Sequence, residues 1–151
     1  MQRVETINLL RKQLVMGIVM VELKYKYNDG GRSKYYNTIN GDCVARAIAI
    51  VLDKDYMEVY NRLKKIRKRP SYGIPPEAIP RIMTEFGFEY VAFDYPKFLC
   101  EKSIPMDERI IAYSNNHFSA VINGEVNDVF KSHCVYDCNL INGYYKLKTK
   151  K

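Results

Sequence analysis

The chain has 151 residues, of which 47% are hydrophobic and 13% aromatic, so it is long enough for one folded domain and too apolar for a disordered one. Its formal net charge of +7 favours an acidic partner but carries no information about the fold. Four cysteines do not make a disulfide scaffold in a chain of this size. We therefore expect a reducing setting and a cytoplasmic protein. The apolar run at 14–21 is too short to span a bilayer, so we expect no membrane contact.

The first 27 residues predict two elements. Residues 1–20 resemble a short amphipathic helix and form an N-terminal extension, although later methionines within it leave the natural start open. The segment VELKYKY (21–27) alternates as a strand does, and NDGG at 28–31 ends it with a turn.

Three helices are predicted after this turn. The first runs from about Cys43 to Leu52 and is apolar on nearly every side, which is typical of an inner helix. The second starts with a capping box made by Asp55 and Glu58, and Pro70 stops it. The third follows a Pro-Pro pair and ends at Gly87, a suitable C′ residue.

Beyond Gly87 the hydrophobic period changes from helical spacing to two. Five segments are typical of strands: FEYVAF, RIIAYS, HFSAVI, EVNDVF and GYYKLK. The order of one strand, then helices, then these strands indicates an α+β fold in which N-terminal helices pack on an antiparallel sheet. We expect residues 21–151 to form a single domain.

Cys43 stands at the predicted start of the inner helix, directly after Asp42, which is a plausible N-cap. The helix N-terminus brings a positive dipole end and unpaired backbone N–H groups, and both stabilise the nucleophilic thiolate. The N–H of Cys43 itself is also placed to stabilise an oxyanion. A lone cysteine at the start of a core helix is more often buried and inert, so a nucleophile requires a base nearby.

The segment HFSAVINGEVNDVF (117–130) predicts a hairpin with Asn-Gly as a type I′ turn. In this register Ser119 pairs with Asp128. Because side chains alternate along a strand, His117 and Asp128 then share one face, a diagonal step apart. A carboxylate in that position can orient an imidazole, so His117 is the predicted base and Asp128 its orienter. A register slip of one residue would place them on opposite faces.

Four stretches of the chain carry a resemblance to a known superfamily: NDGGR (28–32), GDCVARAIAI (41–50), YMEVY (56–60) and HFSAVINGEVNDVF (117–130). They resemble the papain-like cysteine hydrolases in their small form, similar to the peptidases that process bacteriocins after a double glycine. They resemble more closely a family of mostly uncharacterised phage and virus proteins. The resemblance implies a papain-like fold with Cys43 as nucleophile, His117 as base and Asp128 as orienter.

The same resemblance implies a virus-encoded protease or isopeptidase that forms an acyl-enzyme on a host or viral protein or peptide, in the host cytoplasm, with no metal or other cofactor. Papain-like enzymes usually place a Gln several residues before the cysteine to complete the oxyanion hole, and this chain has none there. Asn37 or Asn40 could substitute, and the separation from Cys43 favours Asn37. Amidases, transglutaminases and acyl transferases use the same triad, so the reaction within acyl transfer stays open.

The alternative function is a non-catalytic binding protein on the same fold, whose basic surface engages nucleic acid or a host defence protein. Its candidate contacts are the basic runs 64–69 and 146–151, together with tyrosines interleaved with lysines in KYKY (24–27) and GYYK (143–146). A solvated helix face and a frayed terminus explain the same charges more simply, so we expect at most a weak nucleic-acid contact.

Two further features have competing interpretations. His133, Cys134 and Cys138 have part of a zinc-site spacing, but no second Cys/His pair follows, and Asp137 or Cys100 would have to complete the site. Unpaired thiols are therefore the favoured interpretation, and no metal is expected.

Arg46 is the one charge on the predicted inner helix. A buried charge is costly unless it is paired, so Arg46 needs a carboxylate partner, for which Asp29 is the candidate.

Overall fold

The computed structural model describes residues 23–37, 41–66, 74–98, 104–105, 107–114, 117–129 and 140–149. Within these ranges there are three α-helices: α1 (Cys43–Leu52), α2 (Tyr56–Ile66) and α3 (Ile79–Glu85). The strands are β1 (Lys24–Tyr27), β2 (Phe88–Phe98), β3 (Arg109–Ser114), β4 (His117–Ile122), β5 (Glu125–Asp128) and β6 (Leu140–Leu147). Short 3₁₀ turns occupy Arg32–Lys34 and Pro76–Ala78. The predicted N-terminal extension at 1–20 lies outside the described residues.

Helix α1 is the inner helix that the sequence predicts, because every residue from Val44 to Val51 is buried. It ends where Asp53 adopts a left-handed conformation, with φ of 53°. The guanidinium of Arg109 then donates to the carbonyl oxygens of Ile50 and Val51, at 2.7 and 2.9 Å, and so satisfies acceptors that the helix itself cannot.

Helix α2 has one half of the capping box that the sequence predicts. The Asp55 carboxylate accepts from the backbone N–H groups of Met57 and Glu58. The Glu58 carboxylate accepts from Lys54 at 3.2 Å instead of completing its half of the capping box. Gly87, with φ of 86°, follows α3 as the expected C′ residue.

The six strands form one sheet in the order β1-β5-β4-β3-β6-β2. The neighbours from β5 to β2 are antiparallel, but β1 pairs parallel with β5, from Lys24 opposite Glu125 to Tyr27 opposite Asp128. The prediction of an antiparallel sheet is therefore wrong at this edge, and the fold is α+β with a mixed sheet. The physical reason is that side chains alternate with a period of two in both kinds of pairing, so alternation does not encode strand direction.

The hairpin of β4 and β5 has the predicted register. Val121 lies opposite Val126 and Ile122 opposite Glu125. The turn residues Asn123 and Gly124 have φ of 50° and 75°, as a type I′ turn requires. This prediction is confirmed.

Two apolar clusters cover the two faces of the sheet, as the strand alternation requires. Ile111, Phe118 and Ala120 pack with the helices in the first cluster. Ile110 and Val121, which point the other way, pack in the second. None of the helices in the described ranges combines the length and apolar character needed to cross a bilayer.

Candidate active site

Three strands, β1, β4 and β5, each have one terminus at the same end of the sheet. Strand β4 begins there with His117, and its antiparallel partner β5 ends there with Asp128. Parallel β1 ends beside Asp128, and the chain then turns towards the start of α1 at Cys43. Cys43, His117 and Asp128 therefore lie in one region, although the chain orders them far apart.

The His117 imidazole and the Asp128 carboxylate form a hydrogen bond, with 2.6 Å between Nε2 and Oδ2. The Asp128 side chain is only 2% exposed and that of His117 is 23% exposed. Oδ2 also accepts from the Ser119 hydroxyl at 2.6 Å, and Oδ1 accepts from the Val129 N–H at 2.7 Å. Burial raises the pKa of Asp128, but the bonds from His117, Ser119 and Val129 outweigh it and leave that pKa below its usual value.

The Cys43 thiol lies close enough to the His117 ring to help raise the pKa of that ring. The thiol is partly buried, forms no disulfide and packs at the margin of the helix-side cluster. Burial lowers the pKa of His117, but the hydrogen bond with the Asp128 carboxylate and the nearby Cys43 sulfur outweigh it and raise that pKa to about 9 from an ordinary 6.5. Near pH 7 the ring is thus an imidazolium between a carboxylate and a sulfur.

An ion-pair network that the sequence did not predict lies under these three side chains. Asp42 is fully buried, and its carboxylate accepts from Arg46, from Arg32 at 3.3 Å and from the Tyr56 hydroxyl at 2.9 Å. Arg46 also reaches Asp128, with 3.6 Å between Nη2 and Oδ1. The network therefore joins the start of α1 to the carboxylate behind His117.

Two predictions about charged residues need correction here. The partners of Arg46 are Asp42 and Asp128 rather than Asp29, whose carboxylate accepts from the backbone of Gly31 and Ser33. Asp42 occupies the N-cap position but makes no side-chain cap, because its carboxylate is taken up by the network. The i,i+4 spacing of Asp42 and Arg46 is the signal in the sequence that could have identified this pair.

Of the predicted oxyanion donors, the structure describes the Cys43 N–H and Asn37. The N–H of Cys43 stands at the first helical position, where helical geometry offers it no acceptor within the helix. Asn37 is exposed in a bend, and the described contacts do not link it to Cys43. Asn40 lies outside the described residues.

The residues of the alternative zinc interpretation, His133, Cys134, Asp137, Cys138 and Cys100, also lie outside the described residues. In the part of the chain that the structure describes, no three His, Cys, Asp or Glu side chains are grouped to hold a metal ion.

The aromatic contacts proposed for nucleic acid divide into two kinds. Tyr144 and Tyr145 of GYYK are each 7% exposed and belong to the core, so they are not available to stack on bases. On edge strand β1, by contrast, Tyr27 is 62% exposed, and Lys24 and Lys26 are exposed as well. Only part of each basic run falls within the described ranges.

A cavity of about 310 Å³ lies beside the C-terminal half of α1, and its lining includes Ile50, Arg109, Glu125 and Asn127. None of Cys43, His117 and Asp128 lines it. This cavity therefore does not belong to the candidate site.

No protein-family model, curated protein or solved structure matches the chain.

Proposed function

We propose that the protein is a papain-like cysteine hydrolase, a protease or isopeptidase that acts on a host or viral protein through an acyl-enzyme. The observation that carries the proposal is the grouping of Cys43, His117 and Asp128. The thiol opens an inner helix close enough to the His117 ring to affect its pKa, and the ring is hydrogen-bonded to a buried carboxylate. A cysteine whose only role is packing needs neither an imidazole at its sulfur nor a carboxylate behind that imidazole.

In this mechanism His117 already holds the proton that has left the Cys43 thiol, because the raised pKa of His117 favours the imidazolium. The sulfur attacks the carbonyl carbon of the scissile amide. His117 then gives the proton to the departing amine, and a thioester remains on Cys43. Water then attacks the thioester while His117 removes a proton from that water. The acyl–sulfur bond breaks, and the carboxylic acid leaves with the Cys43 thiolate and the His117 imidazolium restored.

Asp128 holds the ring in the productive orientation. Because Asp128 bonds Nε2, the nitrogen left to face the sulfur is Nδ1. The N–H of Cys43 and the Asn37 side chain are the proposed donors to the oxyanion. Asn37 would have to turn towards Cys43 when substrate binds, since its side chain is exposed in the free protein.

Selective alkylation of the four cysteines tests this function. At pH 7 iodoacetamide should label Cys43 at least about tenfold faster than Cys100, Cys134 or Cys138, because an imidazole-paired thiol is largely thiolate whereas an ordinary thiol is not. Peptide mass spectrometry reads the rate at each site. His117→Ala should remove the preference, and the matched variant His133→Ala should keep it. Equal labelling at all four sites in the unaltered protein would contradict the proposal.

One observation favours the second candidate function, binding of nucleic acid through a basic surface. Lys24 and Lys26 are exposed on one face of β1 and Tyr27 on the other, and β1 is the edge strand of the sheet within the described residues. This arrangement offers two cations and one aromatic ring to a phosphate backbone and its bases. The two functions are separable, since this surface contains none of the three proposed triad residues.

A further inference from the structure

Arg46 contacts two buried carboxylates with the two ends of one guanidinium. Nη1 bonds Asp42, which is fully buried, and Nη2 lies 3.6 Å from Oδ1 of Asp128, whose side chain is 2% exposed. The Arg46 side chain is itself only 6% exposed. Water cannot screen these contacts well, so they act more strongly than surface ion pairs do.

The groups around this bridge balance in charge. Asp42 and Asp128 bring two negative charges, and Arg46 and Arg32 bring two positive ones. Neutral hydroxyl groups supply further contacts: that of Tyr56 on Asp42, that of Ser119 on Oδ2 of Asp128, and that of Tyr25 on the Asp128 carbonyl. The network next to Cys43 and His117 therefore carries no net charge when its two carboxylates and two guanidinium groups are counted.

Asp128 has two sides, and each faces a different cation. Oδ2 faces the His117 ring, and Oδ1 faces Arg46 and the Val129 N–H. Any negative charge that Arg46 compensates on Oδ1 is no longer fully available to the imidazolium. Because Asp42 fixes Arg46 to the first turn of α1, the helix that carries Cys43 also carries the counter-charge of the carboxylate behind His117.

We propose that Arg46 is a positioning residue that acts through Asp128, and that its guanidinium, held by Asp42, limits the charge that the Asp128 carboxylate presents to His117. The inference rests on the proposed function, since it assigns Arg46 a task in the same triad. It also predicts a sign. Removing a fixed positive charge stabilises any nearby cation, so the pKa of His117 should rise when Arg46 is neutralised.

The test is a titration of the His117 ring by NMR in the full chain. The chain has only two histidines, so His133→Gln assigns the signal. Arg46→Met should raise the pKa of His117 by about one pH unit, the effect of one nearby charge in a partly screened site. Arg46→Lys keeps the charge and should return the pKa to within about 0.3 of the unaltered protein.

The matched control is Arg109→Met. Arg109 also binds α1, through the carbonyl oxygens of Ile50 and Val51, but at the opposite end from Cys43. This variant should weaken the helix and leave the pKa of His117 unchanged. If Arg46 only supported the fold, Arg46→Met would instead loosen the bond between His117 and Asp128 and lower the pKa towards 6.5. A fall, or no change, would overturn the inference.

A second measurement applies if Arg46→Met does not fold. In Asp128→Asn the arginine is retained and one of its two partners loses its charge. The side-chain ¹⁵N–¹H signals of Arg46 should shift and its Nη2 rotation should accelerate, while those of Arg109 stay fixed; unchanged Arg46 signals would overturn the inference. Neither NMR experiment uses the reactivity of Cys43. Failure of the alkylation test and failure of this inference are therefore distinguishable.

Discussion

Replacing His117 by Gln should remove a pH-dependent part of the free energy of unfolding. The pKa of His117 is about 9 in the folded protein and has an ordinary value of 6.5. Between these values the folded chain retains a proton that the unfolded chain has released, so stability falls as the pH rises. The contribution is complete below pH 6.5 and is lost as the pH passes through about 9. At about 1.4 kcal/mol for each pH unit, it amounts to about 3 kcal/mol.

Urea unfolding at pH 6 and pH 9.5, under reducing conditions, measures this contribution. The unaltered protein should lose about 3 kcal/mol more stability across the interval than His117→Gln does. Asp128, with a lowered pKa, acts with the opposite sign and only in acid, where its stabilisation is lost as the pH falls. His133→Gln is the control and should retain the full pH dependence. Equal losses of stability in the unaltered protein and in His117→Gln would refute the hydrogen-bonded pair as described.

Two further predictions concern the loop before α1 and the β1 surface. Gly30→Ala should destabilise by about 2 kcal/mol, because φ is +70° and the new Cβ would lie 3.2 Å from the Arg46 carbonyl oxygen. Gly87→Ala is the control, because φ is +86° but no atom lies within 4 Å of the new Cβ. It should lower the free energy of unfolding by only about 1 kcal/mol in a urea titration. Equal losses in the two variants would contradict the packing of the loop on α1. Binding of a single-stranded oligonucleotide should weaken as salt is added, and Lys24→Glu with Lys26→Glu should reduce the slope of log K against log salt by about 2; an unchanged slope would exclude this surface.

The sequence predicts local features of the fold well, because each has a local physical cause. Apolar residues on nearly every side identify α1, and its bounds, Cys43–Leu52, agree with the prediction. Asn-Gly selects a turn with two positive φ values, and this fixes the register of β4 and β5. The shared face of His117 and Asp128 follows from that register, and the bond between them accords with it.

Contacts between distant segments are what the sequence could not give. The parallel direction of β1 depends on its pairing with β5, which lies about 100 residues later in the chain. The alternation of side chains along a strand does not show whether the strand pairs parallel or antiparallel. Arg46 received Asp29 as a partner because both lie near the inner helix in sequence. In the structure the Asp29 carboxylate accepts from the backbone of its own turn. Arg46 instead contacts Asp42, four residues before it, and Asp128 on β5.

The parallel direction of β1 explains why the NDGGR loop (28–32) lies against the GDCVARAIAI segment (41–50). A β1 that runs with β5 ends at the Asp128 end of the sheet, so the NDGGR loop (28–32) emerges there. Gly30 then packs on the backbone of Arg46, and Arg32 reaches Asp42. An antiparallel β1 would deliver the same loop to the far end of the sheet, away from Cys43 and His117.

Strand β1 also fixes the backbone of Asp128, and this gives the carboxylate a rigid origin. The Asp128 carbonyl accepts from the Asn28 N–H and from the Tyr25 hydroxyl, each at 3.0 Å. Its two carboxylate oxygens have the separate partners described above. Because Asp128 is held at its backbone carbonyl and at both carboxylate oxygens, its side chain cannot turn away from His117 without breaking several contacts together. That rigidity is what an imidazole needs if it is to meet a sulfur in one orientation through a catalytic cycle.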